Sequence, residues 1–215
     1  MLVDVLRRER LSAGSRALDL CSGSGVIAIA AAQAGWRVSA VDVSRRAVMA
    51  VRAGGALNGV RIDARRGSLF DPVAGERFDL ITSNPPYVPS PDGRIPARGS
   101  ARAWEGGDDG RALLDQICAG ARAHLRPGGV ILLVHSAVCG EAPTVQALEA
   151  RGLVVEVALR HRGPLGPLLR SRAEWLREQG LLGDADEEEM LVIRGRLPVA
   201  ADSPSRAAEP AGIAR

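Results

Sequence analysis

Short apolar runs that alternate with helix-like segments constrain this chain more than any other feature of it. Arg16-Ala17-Leu18-Asp19-Leu20, Trp36 to Asp42, Val60 to Arg65, Phe78 to Ser83 and Val130 to His135 each read as a strand, the third of them at a sheet edge. Between them the spacing predicts helices over about 26–34, 44–58, 111–125 and 143–151, the second capped by Ser44. Alternation of this kind implies a mostly parallel sheet with helices on both faces. Two more strands, over 154–159 and 190–193, are joined by an insert at 163–183 with a short helix around Trp175. That pair implies one antiparallel strand at the end of the sheet. Residues 1–11 read as the end of a helix with Leu2, Val5, Leu6 and Leu11 on one face, broken by Ser12-Ala13-Gly14. From Pro198 onward the chain is Ala, Pro and Ser with no apolar pattern. One domain over 1–197 and an unstructured tail over 198–215 are therefore expected.

The fourth strand stops at Asn84-Pro85-Pro86-Tyr87, because two consecutive prolines cannot lie inside a sheet. Asn84 is left at the strand's carboxyl end, where open α/β sheets bind ligands. The Asn side-chain oxygen and a Pro carbonyl can each accept one hydrogen of a planar NH2 group. Prolines hold those acceptors in place, and the tyrosine ring offers a flat face. The arrangement suits methyl transfer to an amide or exocyclic amine nitrogen; it also serves as a plain rigid turn.

At the first strand the loop Cys21-Ser22-Gly23-Ser24-Gly25 leads into a helix, and glycine there lets a ligand approach the backbone. Gly23-Ser24-Gly25-Val26-Ile27-Ala28 satisfies the dinucleotide fingerprint, with Asp42 spaced for ribose hydroxyls or for capping the next helix. Asp19 points away from a dinucleotide. A carboxylate at that strand end can meet a ligand ammonium group, directly or through water or loop amides, but repels a pyrophosphate. No hydride-transfer apparatus follows, and lysine is absent altogether.

At 215 residues and 46% hydrophobic, the chain can bury one sizeable core. No apolar run reaches the ~20 residues that span a bilayer, and the first residues lack the order of a signal peptide. Cys21, Cys118 and Cys139 stand far apart with no CxxC, which argues against a disulfide framework or a metal site and suits the cytoplasm. The net charge of +3 permits an anionic partner without demanding one.

Asp19-x-x-x-Gly23-x-Gly25, Asp42, the Asn-Pro-Pro-Tyr tetrapeptide and Trp104-Glu105-Gly106-Gly107-Asp108-Asp109-Gly110-Arg111 together resemble the HemK family of protein-glutamine methyltransferases. Order and spacing agree across about residues 15–135, and the Gly-Gly-x-x-Gly segment separates the family from adenine-specific DNA methyltransferases. The short form without an N-terminal helical bundle is the nearer match. The resemblance implies a Rossmann-like class I fold with a seven-stranded, mostly parallel sheet and one antiparallel strand. It implies S-adenosylmethionine as methyl donor, S-adenosylhomocysteine as its product, and methylation of the Gln in the Gly-Gly-Gln loop of translation release factors. It assigns the cofactor to Asp19, Cys21, Gly23, Gly25, Asp42, Val43, Ser68, Leu69 and Asn84, catalysis to Asn84, Pro85 and Tyr87, and substrate binding to Asn84, Pro85, Pro86 and Tyr87. Where relatives carry a carboxylate after the third strand, this chain has Ser68, whose hydroxyl can still hydrogen-bond an adenine amine. A Pro and Asp-Thr segment that walls the cofactor pocket in relatives, just before the residues matching Leu2 to Leu6, is expected to be missing. In some relatives a small activator covers the edge third strand, the expected seat of any such partner here.

Two rival readings stay open at this stage: a methyltransferase for an exocyclic amine of DNA or RNA, and a non-catalytic relative with weakened cofactor binding. With six aromatics in the chain, the first has few bases for a stacking platform. His124, His135 and His161 share no metal-type spacing. The run 184–189 reads as a solvated loop, Trp175 as a packing anchor, and Arg65-Arg66 as a solvated pair open to an acidic partner.

Overall fold

The computed structural model describes residues 1–97, 99–184 and 186–199. Seven strands, β1 (Arg16–Leu20), β2 (Arg37–Asp42), β3 (Ile62–Arg66), β4 (Phe78–Ser83), β5 (Leu125–Ser136), β6 (Val154–Pro164) and β7 (Glu187–Arg196), form one sheet in the order β3-β2-β1-β4-β5-β7-β6. Only β7 runs antiparallel to its neighbours. The helices are α1 (Leu2–Leu6), α2 (Val26–Gln33), α3 (Arg45–Leu57), α4 (Ala112–His124), α5 (Glu141–Glu149), α6 (Pro167–Ser171) and α7 (Ala173–Glu178). None is long and apolar enough to cross a membrane.

Parallel strands covered on both faces need apolar residues at nearly every position, and β1 and β4 supply them. Leu18, Leu20, Phe78 and Ile81 join Leu114, Ile117 and Ala121 of α4 and Leu148 of α5 in one core. Ala17 and Leu80, pointing the other way, join Leu2, Val5 and Leu6 of α1, Ala28 and Ala31 of α2, and Val48 and Val51 of α3. A third, smaller core gathers Val88, Val138, Leu165, Leu169, Ala173 and Leu176, with Tyr87 and Trp175 against it. Trp175 is thus a packing anchor.

β1 lies between β2 and β4, so the chain leaves it in opposite directions across the sheet and a crevice opens at its carboxyl end. Side chains stitch that end together. The Thr82 hydroxyl donates to Asp19 Oδ1 at 2.8 Å and the Ser83 hydroxyl to the Leu20 carbonyl at 3.0 Å.

Several boundaries differ from the sequence expectation. α1 ends at Leu6 rather than near residue 11, the third strand starts at Ile62 rather than Val60, and the insert holds two short helices instead of one. The fifth strand starts at Leu125 rather than Val130, with 126–129 as a bulge inside it: Phe78 pairs with Leu125, Gly128 takes φ +81°, and Gly128 and Leu197 N–H groups donate across to Leu197 and Gly129 carbonyls. Glu187 to Glu189 belong to β7 opposite Pro164, Gly163 and Arg162, and Glu189 pairs with Arg160 and Arg162. Cross-strand arginines hold Glu189 in the strand, Asp184 and Asp186 stay exposed ahead of it, and residue 185 lies outside the described residues. Arg65 is engaged within the chain by Asp63 at 2.6 Å and Glu76 at 2.5 Å, and Arg66 Nε donates to the Val43 carbonyl at 3.1 Å. The tail expected over 198–215 falls, from residue 200 on, outside the described residues.

Candidate functional site

A cavity of about 1040 Å³ opens at the carboxyl ends of the first four strands. Cys21, Ser22, Gly23 and Ser24 line it after β1; Asp42, Val43 and Ser44 after β2; Gly67, Ser68 and Leu69 after β3; and Asn84 and Pro86, at its mouth, after β4. Among the described residues, the two non-glycine residues with positive φ, Cys21 at 55° and Leu69 at 42°, both line it. Such backbone costs of order 1–3 kcal/mol per residue and gathers at ligand sites. Burial, with help from the Asp42 and Asp19 carboxylates, pushes the Cys21 thiol up to about 12, so it stays neutral and is no nucleophile.

Asp42 holds the loop and keeps lone pairs in reserve. Its Oδ2 accepts the Gly23 N–H at 2.9 Å and its Oδ1 the Ser44 N–H at 2.8 Å. One carboxylate therefore ties the glycine loop to the start of α3. Each oxygen retains acceptor capacity for hydroxyl groups on the cavity side.

Asp19 does not line the cavity. It lies beneath the loop, 1% exposed, with Oδ1 on Thr82 and Oδ2 without a partner. Burial pushes its carboxyl up to about 7, against the lowering effect of the Thr82 hydroxyl and the Ala28 amide. Gly25 does not line the cavity either. At φ +85° it has Val51 so close that a Cβ would sit 3.0 Å from Cγ2, so its glycine lets α3 approach the start of α2. Among the described residues three buried side-chain polar atoms lack a partner: Asp19 Oδ2, Ser22 Oγ and His135 Nε2. Two of the three belong to the end of β1 and the loop that follows it. His135 is fully buried on β5 with Nδ1 on the Ser136 carbonyl, and burial lowers its pKa; it stays out of the cavity. No group of three or more His, Cys, Asp or Glu among the described residues could hold a metal ion.

The loop after β4 splits the tetrapeptide between mouth and core. Asn84 is exposed and Pro86 half-buried at the cavity, whereas Pro85 is buried. Tyr87 turns into the protein, its hydroxyl on Met190 Sδ at 3.5 Å, and burial raises its pKa so that it stays protonated. Its ring is therefore not at the cavity wall, and its main-chain carbonyl accepts from Cys139 Sγ at 3.0 Å. The following residues pair with the glycine segment as a short parallel ribbon: Val88 N–H donates to the Trp104 carbonyl, Gly106 N–H to Val88, and Ser90 N–H to Gly107. Close approach explains the glycines. A Cβ on Gly106 would meet the Gly110 carbonyl at 2.6 Å and Tyr87 Cα at 2.8 Å, and one on Gly110 would strike the Tyr87 carbonyl.

Sequence reasoning did not single out Arg45, Arg46, Arg102 and Leu113, which line the cavity together with Trp104. Trp104 is 58% exposed at its rim, and only its place in the glycine segment hinted at the site. The acid under a bare loop, the acceptor-bearing Asp42 and the orphaned Ser22 hydroxyl fit a cationic ligand with ribose hydroxyls.

A family model described as "Methyltransferase small domain" matches residues 1–94. The chain is 40% identical over 153 residues to a release factor glutamine methyltransferase of Gloeobacter violaceus, a match that covers 66% of this chain and 52% of that protein. It thus spans about half of that relative. A Methanocaldococcus jannaschii protein that carries the name protein N5-glutamine methyltransferase is 35% identical over 170 residues, covering 78% of this chain and 82% of that one. Among solved structures, a chain of the E. cuniculi Mtq2-Trm112 complex, described as methylating the eRF1 translation termination factor, superposes with a TM-score of 0.61. It is 22% identical and is covered to 92% by 91% of this chain, a likeness of fold. The chain belongs to the family of protein-glutamine methyltransferases that its motifs resemble.

Proposed function

We propose that this chain transfers a methyl group from S-adenosylmethionine to the side-chain amide of the Gln in a Gly-Gly-Gln loop of a peptide chain release factor. The observation that carries this reading is the exposed Asn84 at the mouth of the cavity whose floor is the loop between Asp19 and Gly25. Residues 21–24, Asp42, Val43, Ser68 and Leu69 would hold the cofactor, with Asp19 acting from beneath. S-adenosylmethionine supplies an electrophilic methyl on a sulfonium. The chain's own part is positioning. An amide nitrogen is a poor nucleophile because its lone pair is delocalised, and the Asn84 side-chain oxygen and the Pro85 carbonyl each accept one of its hydrogens and aim it. No base is needed before attack, since methylation itself makes the nitrogen acidic. Tyr87 serves through its main chain and its packing.

The test is labelled methyl transfer to a release factor, with its Gln→Ala variant as control: label on the first alone is expected. A specific observation also favours the second reading. The exposed Trp104 stands at a rim with Arg45, Arg46 and Arg102, which suits a stacked base and its phosphates. Label on adenine-bearing oligonucleotides, lost steeply with salt, and none on the release factor would select it. We place the activity in the cytoplasm, with any activator subunit seated on the open edge of β3.

Cofactor affinity should depend on pH through Asp19. A bound cation favours the ionised carboxylate and lowers its pKa from about 7 in the free protein, so binding releases a proton. Affinity then rises with pH up to about 7 and levels off above it. Calorimetry between about pH 5.5 and 7.5, below the ordinary α-amino range, is expected to show this rise, and Asp19→Asn to flatten it. A parental curve that is already flat removes Asp19 from the site.

A further inference from the structure

The connection between β4 and α4 carries Asn84 at one end and, among its described residues, holds a 3-10 turn (Ser100–Ala103) as its one helical element. A connection this long stays in one conformation only if something outside it supplies contacts. The insert between β6 and β7 does so. Arg172, between α6 and α7, donates Nη1 to the Pro89 carbonyl at 2.7 Å and Nη2 to Glu105 Oε1 at 2.6 Å. One planar guanidinium therefore grips both rails of the ribbon that follows the tetrapeptide, Pro89 on one and Glu105 on the other. A lysine ammonium cannot present two donors in that fork geometry. The pair is largely withdrawn from water, with Arg172 18% and Glu105 14% exposed, so screening weakens it less than a surface pair. Arg172, then burial opposing it and Ser90 assisting it, leaves the Glu105 carboxyl below its usual range.

Beneath the ion pair, Leu165, Leu169, Ala173 and Leu176 of the insert pack with Val88 and Tyr87 as the third core. That core is distinct from the two that cover the sheet, with Tyr87 touching it and the first of them, and Val88 and Tyr87 of the acceptor loop form part of its wall beside Val138. Arg172 does not line the cavity. Its contacts are with residues that do no chemistry in the proposed reaction.

We propose that the insert over residues 165–182 is a strap that sets the position of the acceptor loop, with Arg172 as its positioning residue. The proposal rests on the reading of Asn84 and Pro85 as acceptors for the target amide, and says what keeps them in place. Slack in this loop moves the acceptor pair relative to the methyl donor without touching the cofactor floor, so the rate falls and cofactor binding does not.

Arg172→Gln, Arg172→Lys and Glu105→Gln would be compared with the parent by steady-state methylation of a release factor, by cofactor calorimetry, and by amide hydrogen exchange. Arg172→Gln is expected to lower kcat by about 10–100-fold with KM and the cofactor Kd within twofold. The Val88, Ser90 and Gly106 amides, which close the ribbon, should exchange faster in it. Arg172→Lys should recover part of kcat, and Glu105→Gln, which keeps an acceptor, should lose less than Arg172→Gln. Parental kcat, unchanged exchange at those three amides, or a cofactor Kd that weakens in step with kcat overturns the strap. A parent that methylates no glutamine overturns the substrate reading instead, and the exchange measurement still decides whether the strap holds the loop. Should Arg172→Gln fail to fold, Arg172→Lys and Glu105→Gln carry the same comparison.

Discussion

Asn84→Ala is expected to lose on the order of 10²-fold or more in turnover while keeping its cofactor affinity. The side chain stands exposed at the cavity mouth, and the floor that would hold the cofactor is built by other residues, Asp42 binding Gly23 and Ser44 across it. Removing the amide therefore takes away an orienting acceptor and leaves the floor intact. Asn84→Asp is the more discriminating change. It keeps an acceptor, adds charge and removes a donor, so it should retain more activity than alanine where hydrogen acceptance is the main role. Single-turnover rates and cofactor titrations on the three proteins decide it. If both variants turn over like the parent, the tetrapeptide is only a rigid turn.

Gly110→Ala should be the most disruptive single-methyl change at the site, costing about 2–5 kcal/mol of stability. Two effects add. Gly110 sits at φ +79°, where an L side chain is strained, and a Cβ would collide with the Tyr87 carbonyl and approach Cys139 Sγ to 2.7 Å. These are the two groups joined by the Cys139-to-Tyr87 hydrogen bond, so relief of the clash displaces the loop behind Asn84. Gly14→Ala is the matched control: it has φ +80° with nothing within 4 Å, and isolates the backbone cost at about 1 kcal/mol. Denaturant unfolding of both variants separates strain from collision. Equal losses would mean that the glycine segment and the tetrapeptide are not in close contact.

The alternation of strands and helices was legible because both faces of a parallel sheet are buried, which writes β1, β2 and β4 as apolar runs and α3 as a capped segment. The ends of those strands were legible for the same local reasons. Two prolines stop β4, and glycines break the chain after β1, which leaves Asn84, Cys21 and Gly23 just past strand ends that open on the cavity. Elements at the margin were misplaced. The Pro-Gly-Gly stretch of β5 reads as a turn locally, but β7 pairs with it from more than sixty residues further on and keeps it in the sheet. The acidic start of β7 reads as solvated, yet it lies across from Arg160 and Arg162.

By itself, then, the sequence determined the alternation of strands and helices, the loops that follow the first and fourth strands and the chemistry of the residues on them, since each follows from propensity, periodicity or a proline within a few neighbouring residues. Tertiary structure decided which of those residues face the cavity. Asp19, Gly25 and Tyr87 were singled out by type and turn out to lie beneath or behind its wall, and Pro85 is buried between Asn84 and Pro86, which line it, while Trp104, Arg45, Arg46 and Arg102 stand on it. Tertiary structure also decided what holds the acceptor loop: Cys139 reaches Tyr87 across 52 positions of the chain, and Arg172 reaches Pro89 across 83. Contacts at such separations depend on strand order and register, which bring distant segments together only when the sheet is complete.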